Sequence, residues 1–103
     1  MRTIYIVDDS PAVRERLIGM ISEVVGTTLA GASGDPNEAL KAIRRLQPDA
    51  VILDIRMPAM SGIQVLREIK QDQRAPMVIM LTNYPFGQYR RECAEAGADY
   101  FLN

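Results

Sequence analysis

Histidine is absent from the chain and cysteine occurs once, at Cys93. The first absence excludes imidazole acid–base chemistry and the common zinc sites. The second excludes an internal disulfide framework and any thiolate metal cluster. Cys93 sits in YRRECAEAG at the spacing of a helix core face, which predicts a buried, inert thiol. No apolar run approaches the length of a membrane span. The start, MRTIYIVDDS, is too short and too quickly acidic for a signal peptide, so a cytoplasmic protein is expected. Charge of one sign is lacking too: the formal net charge is -1 and the pI near 5.3, so no overall field favours nucleic acid or an anionic membrane. Arg44-Arg45 and Arg90-Arg91 read as solvated helix faces.

What the chain does have is apolar content, 48% of 103 residues, enough for one domain with a core. Strand-like runs alternate with helical periodicity. Thr3 to Val7 is apolar and stops at Asp8-Asp9; Ser10-Pro11 then reads as a cap with proline at the first helical position. Val13, Leu17, Met20, Ile21 and Val24 mark the inner face of that helix, with Gly26 as its end. A second strand over Thr27–Ala32 leads to Asp35-Pro36-Asn37-Glu38, a capping-box pattern, and to a helix burying Ala39, Leu40, Ile43 and Leu46. Ala50 to Leu53 is a continuous apolar run, as in a strand covered on both faces. A third helix from Ser61 or Gly62 buries Val65, Leu66 and Ile69; a fourth strand spans Pro76–Leu81. A fourth helix runs from about Phe86 to Ala96 and is capped by Gly97 in the left-handed conformation, and Asp99–Leu102 begins a fifth strand. This alternation predicts an α/β fold with a doubly wound, mostly parallel five-stranded sheet.

In such a sheet the carboxyl ends of the strands share one edge, where ligands bind. Asp8 and Asp9 follow the first strand, Asp54 the third and Thr82 the fourth. If the first and third strands are neighbours, three carboxylates converge, and they repel unless protons or a cation intervene. Without sulfur or imidazole ligands, the pattern points to a hard, oxygen-binding cation, Mg2+ above all, with Mn2+ as a substitute. The backbone carbonyl of Arg56 is a further candidate ligand. A carboxylate beside such a cation can act as nucleophile toward phosphorus, which gives Asp54, at the end of an apolar strand, a chemical use. The Thr82 hydroxyl and an adjacent backbone amide are candidate partners for a phosphoryl oxygen. Ser10 is expected to be a helix cap, and Met57 to pack beneath the loop.

In combination, the DDS after the first strand, the D-x-x-M-P-x-M-x-G of Asp54, Met57, Pro58, Met60 and Gly62, the LT of the fourth strand and the GADYFL near the end resemble the receiver domain of two-component response regulators. The match runs from Thr3 to Asn103. The resemblance implies a flavodoxin-like strand order of 2-1-3-4-5. It implies Asp54 as phosphoacceptor and Mg2+ bound by Asp8, Asp9, Asp54 and the Arg56 carbonyl. It also implies Thr82 as the switch hydroxyl, the backbone amide of Asn83 on the phosphoryl group, and Phe101 as the switch aromatic. The resemblance further implies that Arg56 and Asn83 occupy positions that tune access of the hydrolytic water. The donor implied is the phosphohistidine of a sensor histidine kinase or a phosphotransfer protein, and slow self-dephosphorylation, not turnover, is expected.

The resemblance also places a lysine and a fifth helix after the fifth strand, whereas the residues stop at Asn103. Residues 1–103 are therefore expected to form a receiver domain incomplete at its carboxyl end. One sheet face is expected to lack its covering helix and to invite a second copy. Tyr84, Phe86 and Tyr89 are expected near a docking surface formed by helix four and strand five. Two other classes compete. A phosphate-independent interaction module is favoured only by the missing lysine. A Mg2+-dependent aspartyl-nucleophile phosphohydrolase would carry D-x-D directly after its first strand, where this chain has adjacent aspartates. A dinucleotide-binding domain is disfavoured, since the first strand–helix turn lacks a glycine-rich loop. No basic reading surface suggests direct nucleic-acid binding, and the output partner is not legible.

Overall fold

The computed structural model describes residues 1–57, 60–82 and 87–102. Strands β1 (Arg2–Val7), β2 (Thr27–Ser33), β3 (Ala50–Leu53), β4 (Met77–Leu81) and β5 (Tyr100–Leu102) alternate with helices α1 (Pro11–Ser22), α2 (Pro36–Leu46), α3 (Gly62–Lys70) and α4 (Gly87–Glu95). All pairings are parallel and the order is β2-β1-β3-β4-β5. The expected fold and strand order are both found, with four helices among the described residues.

Local chemistry explains where the first three helices start. The Ser10 hydroxyl accepts from the Val13 N–H at 3.3 Å and Pro11 opens α1. The Asp35 carboxylate accepts from the N–H groups of Asn37 and Glu38, at 2.9 and 3.4 Å. The Ser61 hydroxyl accepts from Gln64 N–H at 3.2 Å. Each side chain satisfies an amide that has no partner inside its helix.

Period-two alternation then assigns the faces of the sheet. Tyr5, Val7, Val51, Leu53, Val78 and Met80 face α2, α3 and α4, and pack with Ala39, Leu40, Ile43, Val65, Leu66, Ile69 and Cys93 into the main core. Ile6 faces the other way, toward Leu17 and Ile21 of α1, with Ile4, Ile18, Ala32, Ile52 and Leu81 partly buried around them. Fully burying a side chain such as Leu53 or Leu66 stabilises the fold by roughly 2 kcal/mol. Away from α1, on that second face, Met77, Tyr100 and Leu102 are 40%, 56% and 52% exposed. Among the described residues no helix covers this part of the sheet, as expected from the sequence.

Several expected core positions are instead exposed. Helix α1 ends at Ser22, before Val24, and turns its buried stripe toward Ile18, which leaves Met20 outward. Leu46 is the last residue of α2, next to the left-handed Gln47, and is 43% exposed. Gly26 does not end a helix; with φ +88° it turns the chain into β2, and its carbonyl accepts from Arg2 N–H at 2.9 Å. Gly97, at φ +101°, does follow α4 as expected. Cys93 is fully buried, and burial foremost pushes its thiol up to about 11. Among the described residues, no helix is long and apolar enough to cross a membrane.

Candidate metal and phosphoryl site

Register brings the acidic residues together. Val7 of β1 pairs with Ser33 of β2 on one side and Leu53 of β3 on the other. The chain beyond each strand end stays tethered: Asp8 N–H donates to the Ser33 carbonyl at 3.1 Å, and Asp54 N–H donates to the Val7 carbonyl at 3.0 Å. Asp8 and Asp54 therefore leave the sheet side by side. Asp8, Asp9 and Asp54 each present a carboxylate oxygen within 4.8 Å of the others. Asp8 is buried, Asp54 half-buried and Asp9 exposed, so the cluster opens to solvent through Asp9.

The electrostatics follow from this crowding. Burial first, then Asp8 and Asp9, push the Asp54 carboxyl up to about 6, although the N–H groups of Arg56 and Ile55 hydrogen-bond its anion and oppose the rise. Asp8 is also raised, mainly by burial and further by Asp9. The Ser10 N–H, which donates to Asp8 Oδ1 at 2.9 Å, and the charge of Arg14 pull the other way. Three crowded oxygen donors with unfavourable charge at neutral pH fit a hard divalent cation. The triad matches the Mg2+ site of receiver domains, with Mn2+ sharing its ligand chemistry.

The β3–α3 connection is held tightly against the cluster. Met57 is buried in the main core, as expected. Gly62 N–H donates to the Ile55 carbonyl at 2.6 Å, and a Cβ on Gly62 would fall on the carbonyl oxygen of Asp54. Only glycine lets the start of α3 pass this close. Pro58 lies outside the described residues. A cavity of about 510 Å³ opens beside Asp9, lined by Ile55, Arg56, Met57, Arg67, Tyr89 and Glu92 among others.

Thr82 is buried at the end of β4, and its N–H donates to the Leu102 carbonyl at 3.1 Å. The structure thus sets it at the same sheet edge as the triad. Phe101 pairs with Met80 and packs half-buried against the main core. Asn83, Tyr84 and Phe86 lie outside the described residues. Tyr89, on α4 as expected, is half-buried against the main core.

Two side chains near the site escaped sequence reading. Arg14 donates through Nη1 to the Asp8 carbonyl at 2.7 Å. Arg90 stands over the Phe101 ring, 4.7 Å from its centroid. A signal for the first was present: a residue one turn into a helix points back toward its N-terminal end, which here is the acidic edge. The second depends on how α4 lies over β5, which no local pattern encodes.

The same architecture occurs in known proteins. The chain is 39% identical over 77 residues to a protein-glutamate methylesterase/protein-glutamine glutaminase of Xanthomonas campestris, covering 75% of this chain and 22% of that protein. It is 34% identical over 103 residues to a putative transcriptional regulator of Pseudomonas aeruginosa, covering 100% of this chain and 49% of that one. The chain therefore spans about half or less of these relatives. Among solved structures, the response regulator TrrA of Thermotoga maritima, in complex with Mg2+ and BeF, superposes with a TM-score of 0.86 at 36% identity, over 99% of this chain and 85% of that one. The family model for the response regulator receiver domain matches residues 4–103. With its strand order, its acidic triad and these likenesses, the chain belongs to the response regulator receiver domain family, whose receiver domains act as phosphorylation-based switches.

Proposed function

We propose that residues 1–103 form one receiver domain in which Asp54 accepts a phosphoryl group from the phosphohistidine of a sensor histidine kinase or phosphotransfer protein. The observation that carries this reading is the convergence of the Asp8, Asp9 and Asp54 oxygens within 4.8 Å at the carboxyl edge of the sheet. An Asp54 oxygen attacks phosphorus; the new O–P bond forms as the donor's N–P bond breaks, and the imidazole leaves with the electron pair. Asp54 at about 6 is largely anionic at neutral pH, so the nucleophile is available without a separate base. A divalent cation bound by the three carboxylates and the Arg56 carbonyl supplies compensation for charge on the phosphoryl oxygens.

Thr82 and the backbone amide of Asn83 bind the remaining phosphoryl oxygens in this reading. Thr82 moves toward the new dianion, and Phe101 repacks in response. The moving surface is that of α4 and β5, a local charge change biasing a two-state element. Arg56 and Asn83 set the access of water that hydrolyses the acyl phosphate. The setting is cytoplasmic, with neither nucleic acid nor membrane as a direct ligand.

Labelling with acetyl phosphate in the presence of Mg2+, followed by location of the modified residue, tests the assignment. Incorporation is expected at Asp54 and lost in Asp54→Asn; labelling elsewhere, or undiminished labelling in the variant, overturns it. The bare apolar strip of Met77, Tyr100 and Leu102 further supports self-association of the 103-residue chain through that face. Sedimentation at micromolar concentration is expected to show a species larger than the monomer.

A further inference from the structure

The main chain of Asp8 is held from several directions at once. Its N–H donates to the Ser33 carbonyl at 3.1 Å, and its Oδ1 accepts from Ser10 N–H at 2.9 Å. Its carbonyl accepts from Arg14 Nη1 at 2.7 Å. The last of these bonds crosses between elements: Arg14 belongs to α1, and its guanidinium reaches the end of β1 by passing over Gly34, in the corner between β2 and α2. A Cβ on Gly34 would stand 2.5 Å from Arg14 Nη1 and 3.3 Å from the Asp8 carbonyl oxygen. Gly34 is itself fixed, because the Ser33 hydroxyl accepts from Asp35 N–H at 3.0 Å and donates to the Asp35 carbonyl at 3.2 Å. A half-buried guanidinium, a missing Cβ and a backbone carbonyl thus form one stack beneath the Asp8-Asp9 peptide.

We propose that Arg14 is a positioning residue of the metal site, whose bond to the Asp8 carbonyl, threaded over Gly34, sets the angle at which Asp8 and Asp9 present their carboxylates. The peptide whose carbonyl Arg14 holds is the one that joins the two aspartates. Rotation of that peptide would move both carboxylates relative to Asp54, which is anchored independently through its N–H to Val7. The inference rests on the reading that the triad binds a divalent cation.

Charge makes the proposal decidable by sign. Arg14 is a cation near a cation site, so by Coulomb's law alone its removal relieves repulsion and tightens metal binding. Positioning predicts the reverse. The experiment is calorimetric titration of the 103-residue chain with Mg2+ at fixed ionic strength, for the unaltered protein, Arg14→Ala, Arg14→Lys and Gly34→Ala, with circular dichroism to confirm folding. Arg14→Ala is expected to bind Mg2+ roughly tenfold more weakly, the scale seen when an outer-shell partner of a metal ligand is lost. Arg14→Lys, which keeps the charge and one donor, is expected to fall between. Gly34→Ala keeps the charge but displaces the guanidinium, and is expected to weaken binding in the same direction even if Arg14→Ala fails to fold. Unchanged or tighter binding in the folded variants overturns the positioning role. No Mg2+ binding by the unaltered chain overturns the metal reading itself, so the two failures are told apart.

Discussion

The guanidinium of Arg90, on α4, stands 4.7 Å from the centroid of the Phe101 ring on β5. The cation rests against the electron-rich face of a half-buried aromatic ring, so the pair joins the helix to the last strand of the sheet. Since Phe101 is the proposed switch aromatic, the stack holds the ring where it now lies and opposes its movement. Arg90→Ala is expected to lower the unfolding free energy by about 0.5–1 kcal/mol in urea titrations. Its proton resonances at Phe101 should shift more than those at the distant, buried Tyr5. A change confined to stability, with the Phe101 resonances unmoved, would remove the stack from the switch.

Asp54 links the site to pH. Its folded-state value of about 6, raised first by burial and next by Asp8, lies above the unfolded value near 3.9. The folded chain therefore holds this proton more tightly than the unfolded chain. The resulting stabilisation is fully present below about pH 4 and is lost as pH rises through about 6. For the metal-free protein, the stability difference from Asp54→Asn is expected to move by on the order of 2 kcal/mol across that window, with the variant gaining relative to the parent toward pH 7. Mg2+ should recover stability for the parent at pH 7 and little at pH 4.5, where the carboxyl is protonated. Urea midpoints at the two pH values, with and without Mg2+, check both statements.

Much of this site was legible because it is built from strand ends. Asp8, Asp9, Asp54 and Thr82 each follow an apolar run, and a parallel sheet gathers such positions at one edge whatever the loops do. The strand order was the step that composition could not supply; it came from the resemblance, and the pairing of Val7 with Leu53 bears it out. What escaped reading depends on distances between elements. Nothing local to Arg14 or Gly34 says that the guanidinium crosses the β2–α2 corner. Met20 carries the right periodicity yet is exposed, because the sheet beneath α1 decides which edge of the apolar stripe is covered. Gln47 ends α2 in a left-handed conformation without the glycine that usually signals one.

Gly62 is a case in which space alone dictates the residue. Its N–H bonds to Ile55, and any Cβ would overlap the carbonyl of Asp54. Gly62→Ala must push either α3 or the Asp54 peptide away, and overpacking of this kind costs roughly 1–3 kcal/mol or more. The same displacement should move the proposed nucleophile, so acetyl-phosphate labelling is expected to fall along with stability. Gly19, on α1, provides the control, since nothing lies within 4 Å of a Cβ there. Gly19→Ala should leave labelling unchanged and raise stability by about 0.5–1 kcal/mol. Equal labelling in the two variants would separate Gly62 from the placement of Asp54.

Asp99 gives the GADYFL segment a purely structural carboxylate. Its Oδ2 accepts from Val78 N–H at 2.8 Å and from Lys70 Nζ at 2.9 Å, while its own N–H donates to the Val78 carbonyl at 2.9 Å. Lys70 also donates to the Pro76 carbonyl at 2.8 Å, so one lysine and one aspartate tie α3 to the starts of β4 and β5. Burial alone would raise the Asp99 carboxyl, but the bond from Lys70 and that from Val78 outweigh it and hold the group below its ordinary value. A lowered carboxylate stabilises the fold above its unfolded pKa, and that contribution is lost as pH falls through the folded value, opposite in sign to Asp54. The side chain is 41% exposed, so solvent screening keeps the ionic part small. The larger loss in Asp99→Ala is the Val78 amide left without its carboxylate partner, for about 1–2 kcal/mol in all at pH 7. Asp99→Asn retains an acceptor for that amide and should cost less. The gap between Asp99→Ala and the parent should narrow below pH 4, and Mg2+ binding should be the same in both, because this carboxylate braces the opposite end of the sheet from the triad.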